Sequence, residues 1–155
     1  MRLALLATVC LLSACQSTFH HDHVGDNAAT LHFSSDDLPA QPVICVAGDG
    51  FRDTRTAVGR DGFKILTDLN EAMRKSPEVS AQVAASAATV AGFRYRDSAR
   101  TAEKSRCRTA MRFVTEPGQH YRLRLEDNQC TVSVSRQNGE EWQPHSATVA
   151  DWHCQ

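Results

Sequence analysis

Two-residue alternation of apolar and polar positions dominates the second half of the chain. Tyr121, Leu123 and Leu125 alternate with Arg122, Arg124 and Glu126, and Cys130, Val132 and Val134 with Thr131, Ser133 and Ser135. Successive side chains of a strand point to opposite faces, so each run predicts a strand with one buried and one wet face. Upstream, Thr109, Met111 and Phe113 fall on one face of a strand over 108–115, with Ala110 and Arg112 on the other. Glu116-Pro117-Gly118-Gln119 and Asp127-Asn128 carry turn chemistry, and Asn138-Gly139 ahead of Glu141-Trp142 is a hairpin signal. The pattern predicts an antiparallel meander with one solvated face.

The first half is less regular. Leu31 and Phe33 alternate with Thr30, His32 and Ser34, and Pro42-Val43-Ile44-Cys45-Val46-Ala47 is a short β-branched run suited to a buried strand. The chain from Gly48 to Gly62 reads as loop, with a small echo between Asp49-Gly50-Phe51-Arg52 and Asp61-Gly62-Phe63-Lys64. Ile65, Leu66, Leu69, Ala72 and Met73 share a helical face, which predicts a short helix over 64–75 stopped by Pro77. Over 77–92 the alanines favour helix, but Val79, Ala81 and Val83 alternate with polar residues, as do Ala91, Phe93 and Tyr95; two strands are expected there. The fold expected is mainly β: a small antiparallel β-sandwich over 30–155 with one short helix and two disulfides.

The first residues have another logic. Met1-Arg2 is followed by an apolar run from Leu3 to Leu12, then small residues and Cys15. A ten-residue helix at about 1.5 Å per residue covers roughly half of a ~30 Å hydrocarbon core, so the run reads as a signal peptide over 1–14 rather than a membrane span. Leu12-Ser13-Ala14-Cys15 resembles the lipobox of bacterial lipoproteins. That resemblance implies cleavage before Cys15, two or three acyl chains on the new N-terminal Cys15, and anchoring of the mature protein. In that family the residue after the lipidated cysteine guides sorting, and Gln16 implies the outer membrane, facing the periplasm. Residues 15–29, polar and aperiodic, are then a tether.

Cys10 leaves with the signal and Cys15 is acylated, so Cys45, Cys107, Cys130 and Cys154 remain. In an oxidising compartment they read as two disulfides with three connectivities open. The pairing Cys45 with Cys107 and Cys130 with Cys154 is preferred, because the second bridge ties the last strand to a nearby neighbour.

At 155 residues and 17.1 kDa the chain suits one domain, and its 41% hydrophobic content excludes wholesale disorder. The formal net charge of −1 hides segregation: residues 94–124 hold nine basic side chains against three acidic ones. In the expected meander Arg122 and Arg124 share a face, with Arg108 and Arg112 beside them on the neighbouring strand. This anion patch would engage lipid phosphates, acidic glycan or an acidic envelope protein. The competing expectation is that Glu103, Glu116, Glu126 and the acidic flanks neutralise these arginines. Nucleic acid is not an expected partner, since aromatics for base stacking are sparse.

His20, His21, Asp22 and His23 form the most metal-like cluster, but a solvated polar segment is the expected reading, with no metal and no cofactor. Neither a GxSxG elbow nor HExxH, SxxK or a Walker loop occurs, and Asp49, Asp53 and Asp61 are too widely spaced for a calcium loop. His120 with Ser133, or Asp151 with His153, offers only generic nucleophile-base combinations. Trp142, Trp152, Phe113 and Tyr121 read as core or rim packing. The set Cys107, Phe113, Pro117-Gly118, Tyr121, Cys130 and Val132 resembles a segment of small uncharacterised envelope lipoproteins of Gram-negative bacteria, which implies a compact β-sandwich and an envelope location. The function expected is a non-enzymatic binding or structural module on the membrane; the alternative is an inhibitor of a cell-wall hydrolase or a ligand-capture lipoprotein. The glycine-rich and tyrosine repeats of lysozyme-blocking lipoproteins are not visible.

Overall fold

The computed structural model describes residues 19–36, 39–59, 75–96, 106–126 and 130–154. Twelve strands lie among them: β1 (Ala28–Ser35), β2 (Gln41–Val46), β3 (Gly50–Asp53), β4 (Ala57–Val58), β5 (Lys75–Ser76), β6 (Glu78–Ala84), β7 (Thr89–Arg96), β8 (Arg106–Phe113), β9 (His120–Glu126), β10 (Thr131–Asn138), β11 (Glu141–Pro144) and β12 (Ala147–Ala150). The described residues contain no helix; the helix expected over 64–75 lies outside them, apart from Lys75, which opens β5.

Ten strands form two five-stranded sheets. The front sheet runs β11-β10-β9-β1-β6 and the back sheet β12-β8-β7-β2-β3. Every pairing in them is antiparallel except β1 with β9, which is parallel, with Leu31 opposite Tyr121 and Phe33 opposite Leu123. The alternation read in the sequence supplies the core. Leu31, Phe33, Tyr121, Leu123 and Leu125 of the front sheet are fully buried and meet Ile44, Ala91, Phe93, Met111 and Phe113 of the back sheet. Phe33 meets Phe93 edge to face at 5.6 Å between ring centroids, and Phe113 meets Tyr121 at 5.7 Å. Burying side chains of this size is the main force holding the sheets together.

The expected meander is only partly formed. β9, β10 and β11 are consecutive neighbours, but β8 sits in the other sheet, so the Glu116–Gln119 turn crosses between layers. Alternation fixes which face of a strand is buried and leaves open which sheet it joins. Here Phe113 and Tyr121 face each other across the core, and the crossover is tied down locally. The Tyr121 hydroxyl accepts a bond from Glu116 N at 3.0 Å, and Thr115 N donates to Ser86 O at 2.9 Å.

The disulfides are Cys45–Cys154 and Cys107–Cys130, which corrects the expected pairing. Cys107 is buried in the core and reaches across to the start of β10. Cys45 follows core-facing Ile44, so it points to the outer side of the back sheet, where the tail 151–154 lies. Cys45 and Cys107 occupy opposite faces of the same sheet and cannot meet.

The segment expected as a tether is engaged from Phe19 onward. Phe19 bridges to Asp53, and His20 N donates to Asp53 O at 2.7 Å on β3. The carbonyl of Gln82 on β6 accepts from His20 Nε2 at 2.8 Å and His23 N at 3.0 Å, and Gln82 N donates to Asp22 Oδ1 at 2.7 Å. Since β3 and β6 each end a sheet, residues 19–23 form a strap that satisfies exposed edge groups on both layers.

Candidate functional site

The outer face of the front sheet carries the densest polar and aromatic cluster. Register places Ser80, His32, Arg122 and Ser135 in one row across β6, β1, β9 and β10. All four occupy the wet face because their strand neighbours, Val79 and Ala81, Leu31 and Phe33, Tyr121 and Leu123, and Val134, are in the core. Trp142 comes from β11, opposite Gln137, and its ring lies 4.0 Å from the Arg122 guanidinium carbon. It also meets His32 edge-on at 5.7 Å.

His32 is the hub. Its Nδ1 lies 3.1 Å from Glu78 Oε1 and 3.0 Å from Ser80 Oγ, and its Nε2 lies 3.0 Å from His120 Nδ1. A carboxylate can only accept, so Nδ1 carries the proton and Nε2 of the neutral ring is an acceptor. His120 Nδ1–H then donates to it. The two rings lie within 22° of one plane with centroids 5.4 Å apart, an edge-to-edge arrangement suited to that bond. The result is a Glu78–His32–His120 chain that leaves His120 Nε2 as a lone pair on an exposed residue. Arg122 completes the group: its Nη2 lies 4.0 Å from Glu78 Oε2, and its Nε is buried without a hydrogen-bond partner among the described residues.

Chemically, the arrangement offers an aromatic face, a guanidinium and an acceptor nitrogen side by side. Ser80 and Glu78 both address the same nitrogen of His32, whereas a nucleophile-base-acid relay needs them on opposite nitrogens. Among the described residues no group of three His, Cys, Asp or Glu side chains is placed to hold a metal ion. Trp and Arg, packed together here, are among the residue types that anchor interfaces.

The residues expected as one anion patch are divided. Arg122 and Arg124 are on the front sheet, Arg108 and Arg112 on the back sheet, because β8 and β9 are not neighbours. Arg124 pairs with Asp36 at 2.6 Å and Arg136 with Glu116 at 3.2 Å, so much of the front-sheet charge is neutralised. On the back sheet, Arg94 is ion-paired with Asp53, while Arg108 and Arg112 make no ion pair with the described residues. Partial burial holds the Asp53 carboxyl above the usual aspartate range, against the opposing pull of Arg94.

Other expected combinations do not assemble. Ser133 lies opposite Arg124, four residues along β9 from His120. The His20–Asp22 pair is spent on the Gln82 backbone as described, and the two groups are 4.0 Å apart. Phe113 and Tyr121 are core residues, while Trp142 and Trp152 stand on the outer faces of opposite sheets. A cavity of about 580 Å³ opens beside the strap, walled by Phe19, His20, Ile44, Val83 and Val90. Cys10, Cys15 and the signal-like segment lie outside the described residues, so the proposed acylation at Cys15 has no structural counterpart there.

Comparison of the chain with known protein families, with curated proteins and with solved structures finds no match. The site's geometry and the sequence therefore carry the functional argument.

Proposed function

We propose that the chain is a lipid-anchored envelope protein, held at the periplasmic face of the outer membrane through Cys15, whose sandwich acts without catalysis as a binding or structural module. The lipobox-like Leu12-Ser13-Ala14-Cys15 supports the anchor. The observation that carries the binding role is the Trp142–Arg122–His32–His120 cluster, pre-positioned on the solvent face of a rigid sheet. Such a cluster offers an aromatic surface, a cation and an acceptor nitrogen at little ordering cost, since its members already hold one another.

Two measurements test this reading. Labelled palmitate enters the wild-type chain in its host, and Cys15→Ser abolishes incorporation; label retained in the variant rules out the anchor. A photo-crosslinker at Ser133, exposed on the same face of the front sheet as Arg122, captures a discrete envelope component, and the Arg122→Ala, Trp142→Ala double variant loses it, with a fall in affinity of about 30-fold, or ~2 kcal/mol. An adduct unchanged in the double variant removes the front face from the interaction.

The cavity beside the strap favours a second reading, capture of a small apolar ligand, because its volume lies within the roughly 300–1,000 Å³ range of ligand pockets. Protection of Val83 and Val90 amides by added ligand, with the front-face variants fully active in binding, would favour that reading.

A further inference from the structure

The outer face of the back sheet carries a charge arrangement that the binding role above does not use. Arg94 on β7 stands directly opposite Arg108 on β8. Like charges directly opposite in an antiparallel pair are destabilising, so the two guanidiniums need a compensating charge. One carboxylate answers them among the described residues, Asp53, and it lies on Arg94. Arg108 and Arg112, both exposed, are left without an ion pair there.

A surface groove adjoins Arg94 and Arg108. A cavity of about 320 Å³ is bounded by the Arg94 and Arg108 side chains, by Phe51 and Trp152, and by Val43 and Cys154. The aromatic wall is rigid. Trp152 stacks on Phe51 with centroids 4.4 Å apart and planes within 19°, and the Cys45–Cys154 disulfide fixes the tail that carries Trp152.

We propose that this cavity is a binding site for a phosphate ester, with Arg108 as the principal anion ligand, Arg94 as its partner, and Trp152 packed against the organic part of the ester. The charge and shape both favour phosphate. A phosphate monoester near neutral pH carries between one and two negative charges and three acceptor oxygens, enough to bridge two guanidinium forks that otherwise repel. A carboxylate offers two oxygens and one charge, and Asp53 already supplies that to Arg94. Arginine is suited to the role because its planar donors match phosphate oxygens two at a time. The ester reaches the site either free in solution or as the monoester headgroup of a phosphatidic acid, and the chemistry is shared.

The test uses the processed chain in non-ionic detergent and follows its two indole N–H resonances by NMR. Titration with glycerol 3-phosphate shifts the Trp152 resonance saturably and leaves that of Trp142 in place. Arg108→Gln raises the midpoint at least tenfold, whereas Arg55→Gln, which removes an exposed charge elsewhere, does not. Titration of the same sample with phosphatidic acid in the detergent micelles, a lipid whose headgroup is a phosphate monoester, supplies the second arm. Binding that depends on Arg108 there, with no Trp152 shift from glycerol 3-phosphate, assigns the lipid headgroup as the source; a shift with the soluble ester assigns the free compound. No Arg108-dependent response in either arm overturns the proposal, as does equal weakening by Arg55→Gln, which marks diffuse attraction to a basic surface.

Discussion

Single positions on this sandwich have consequences that composition hides. Gly92 lies in the middle of β7, and a Cβ built there would come within 2.0 Å of Thr109 O and 2.6 Å of Ala110 Cα on β8. Both atoms are backbone, so no rotamer change relieves the clash. Gly92→Ala is expected to destabilise the fold by about 3 kcal/mol or more, measured by denaturant midpoint; a loss below about 1 kcal/mol would show that β7 and β8 can part without penalty. Asp53 has a different signature. Its carboxyl titrates above the usual 3.8 because partial burial disfavours the charge more than Arg94 favours it. The folded state therefore holds this proton more tightly than the unfolded chain. Its contribution to stability is fully present below the unfolded value and is lost as pH rises through the folded one. Arg94→Gln removes the lowering influence and moves the carboxyl higher still, which a carboxyl carbon NMR titration of the two proteins will read. A lower value in the variant would reverse the assignment of causes.

The individual strands were legible where one face is buried and the other wet. Over 78–84 the alternation of Val79, Ala81 and Val83 prevails over the alanine-rich composition, and β6 shows strict in-out burial. β9 shows the same rhythm at Tyr121, Leu123 and Leu125. β3 and β12 left no such trace, because they are short edge strands of graded exposure, and β3 falls in a stretch with the glycines of a loop. The hairpin signal at Asn138-Gly139 is displaced by one position. Asn138 pairs with Glu141, so Gly139 and Glu140 form the loop, with Gly139 at φ 63°, a conformation open to glycine at little cost. The front-face cluster was illegible for a stronger reason. His32, Glu78, His120 and Trp142 come from four different strands with no mutual spacing in the chain, and the parallel pairing of β1 with β9 alone brings His32 and His120 within reach. Glu78→Gln keeps the shape but lets the amide nitrogen face His32 Nδ1. The variant is expected to alter the His32 tautomer ratio, visible in the ring nitrogen shifts, and unaltered shifts would show that Glu78 does not set it.

At the scale of the molecule, the two disulfides are nested, one closing 109 residues and the other 23 within it. Four cysteines beyond the signal-like segment promised two bridges, but the pairing depends on which sheet face each thiol occupies, and alternation within a strand is silent about where a distant tail will lie. The entropy of closing so long a loop predicts about 4 to 5 kcal/mol for Cys45–Cys154 and about 3 kcal/mol for Cys107–Cys130. The Cys45→Ser, Cys154→Ser double variant should therefore lose more stability, and should also free the Phe51–Trp152 stack, seen as a change in tryptophan emission. A larger loss on removing the inner bridge would point to core packing at Cys107 instead of loop closure.

The placement of β1 bears on how the protein acquires its shape. β1 lies inside the front sheet, hydrogen-bonded on one side to β6 and on the other to β9, nearly ninety residues later. A chain made amino end first must keep this early segment waiting until the late one arrives, and Cys45 waits longer still for Cys154. Assembly of this kind, dominated by contacts between remote parts of the polymer, is slow, on the order of milliseconds to seconds. During that interval the edges of β1 are open to wrong partners, so the yield of refolding is expected to fall as chain concentration rises.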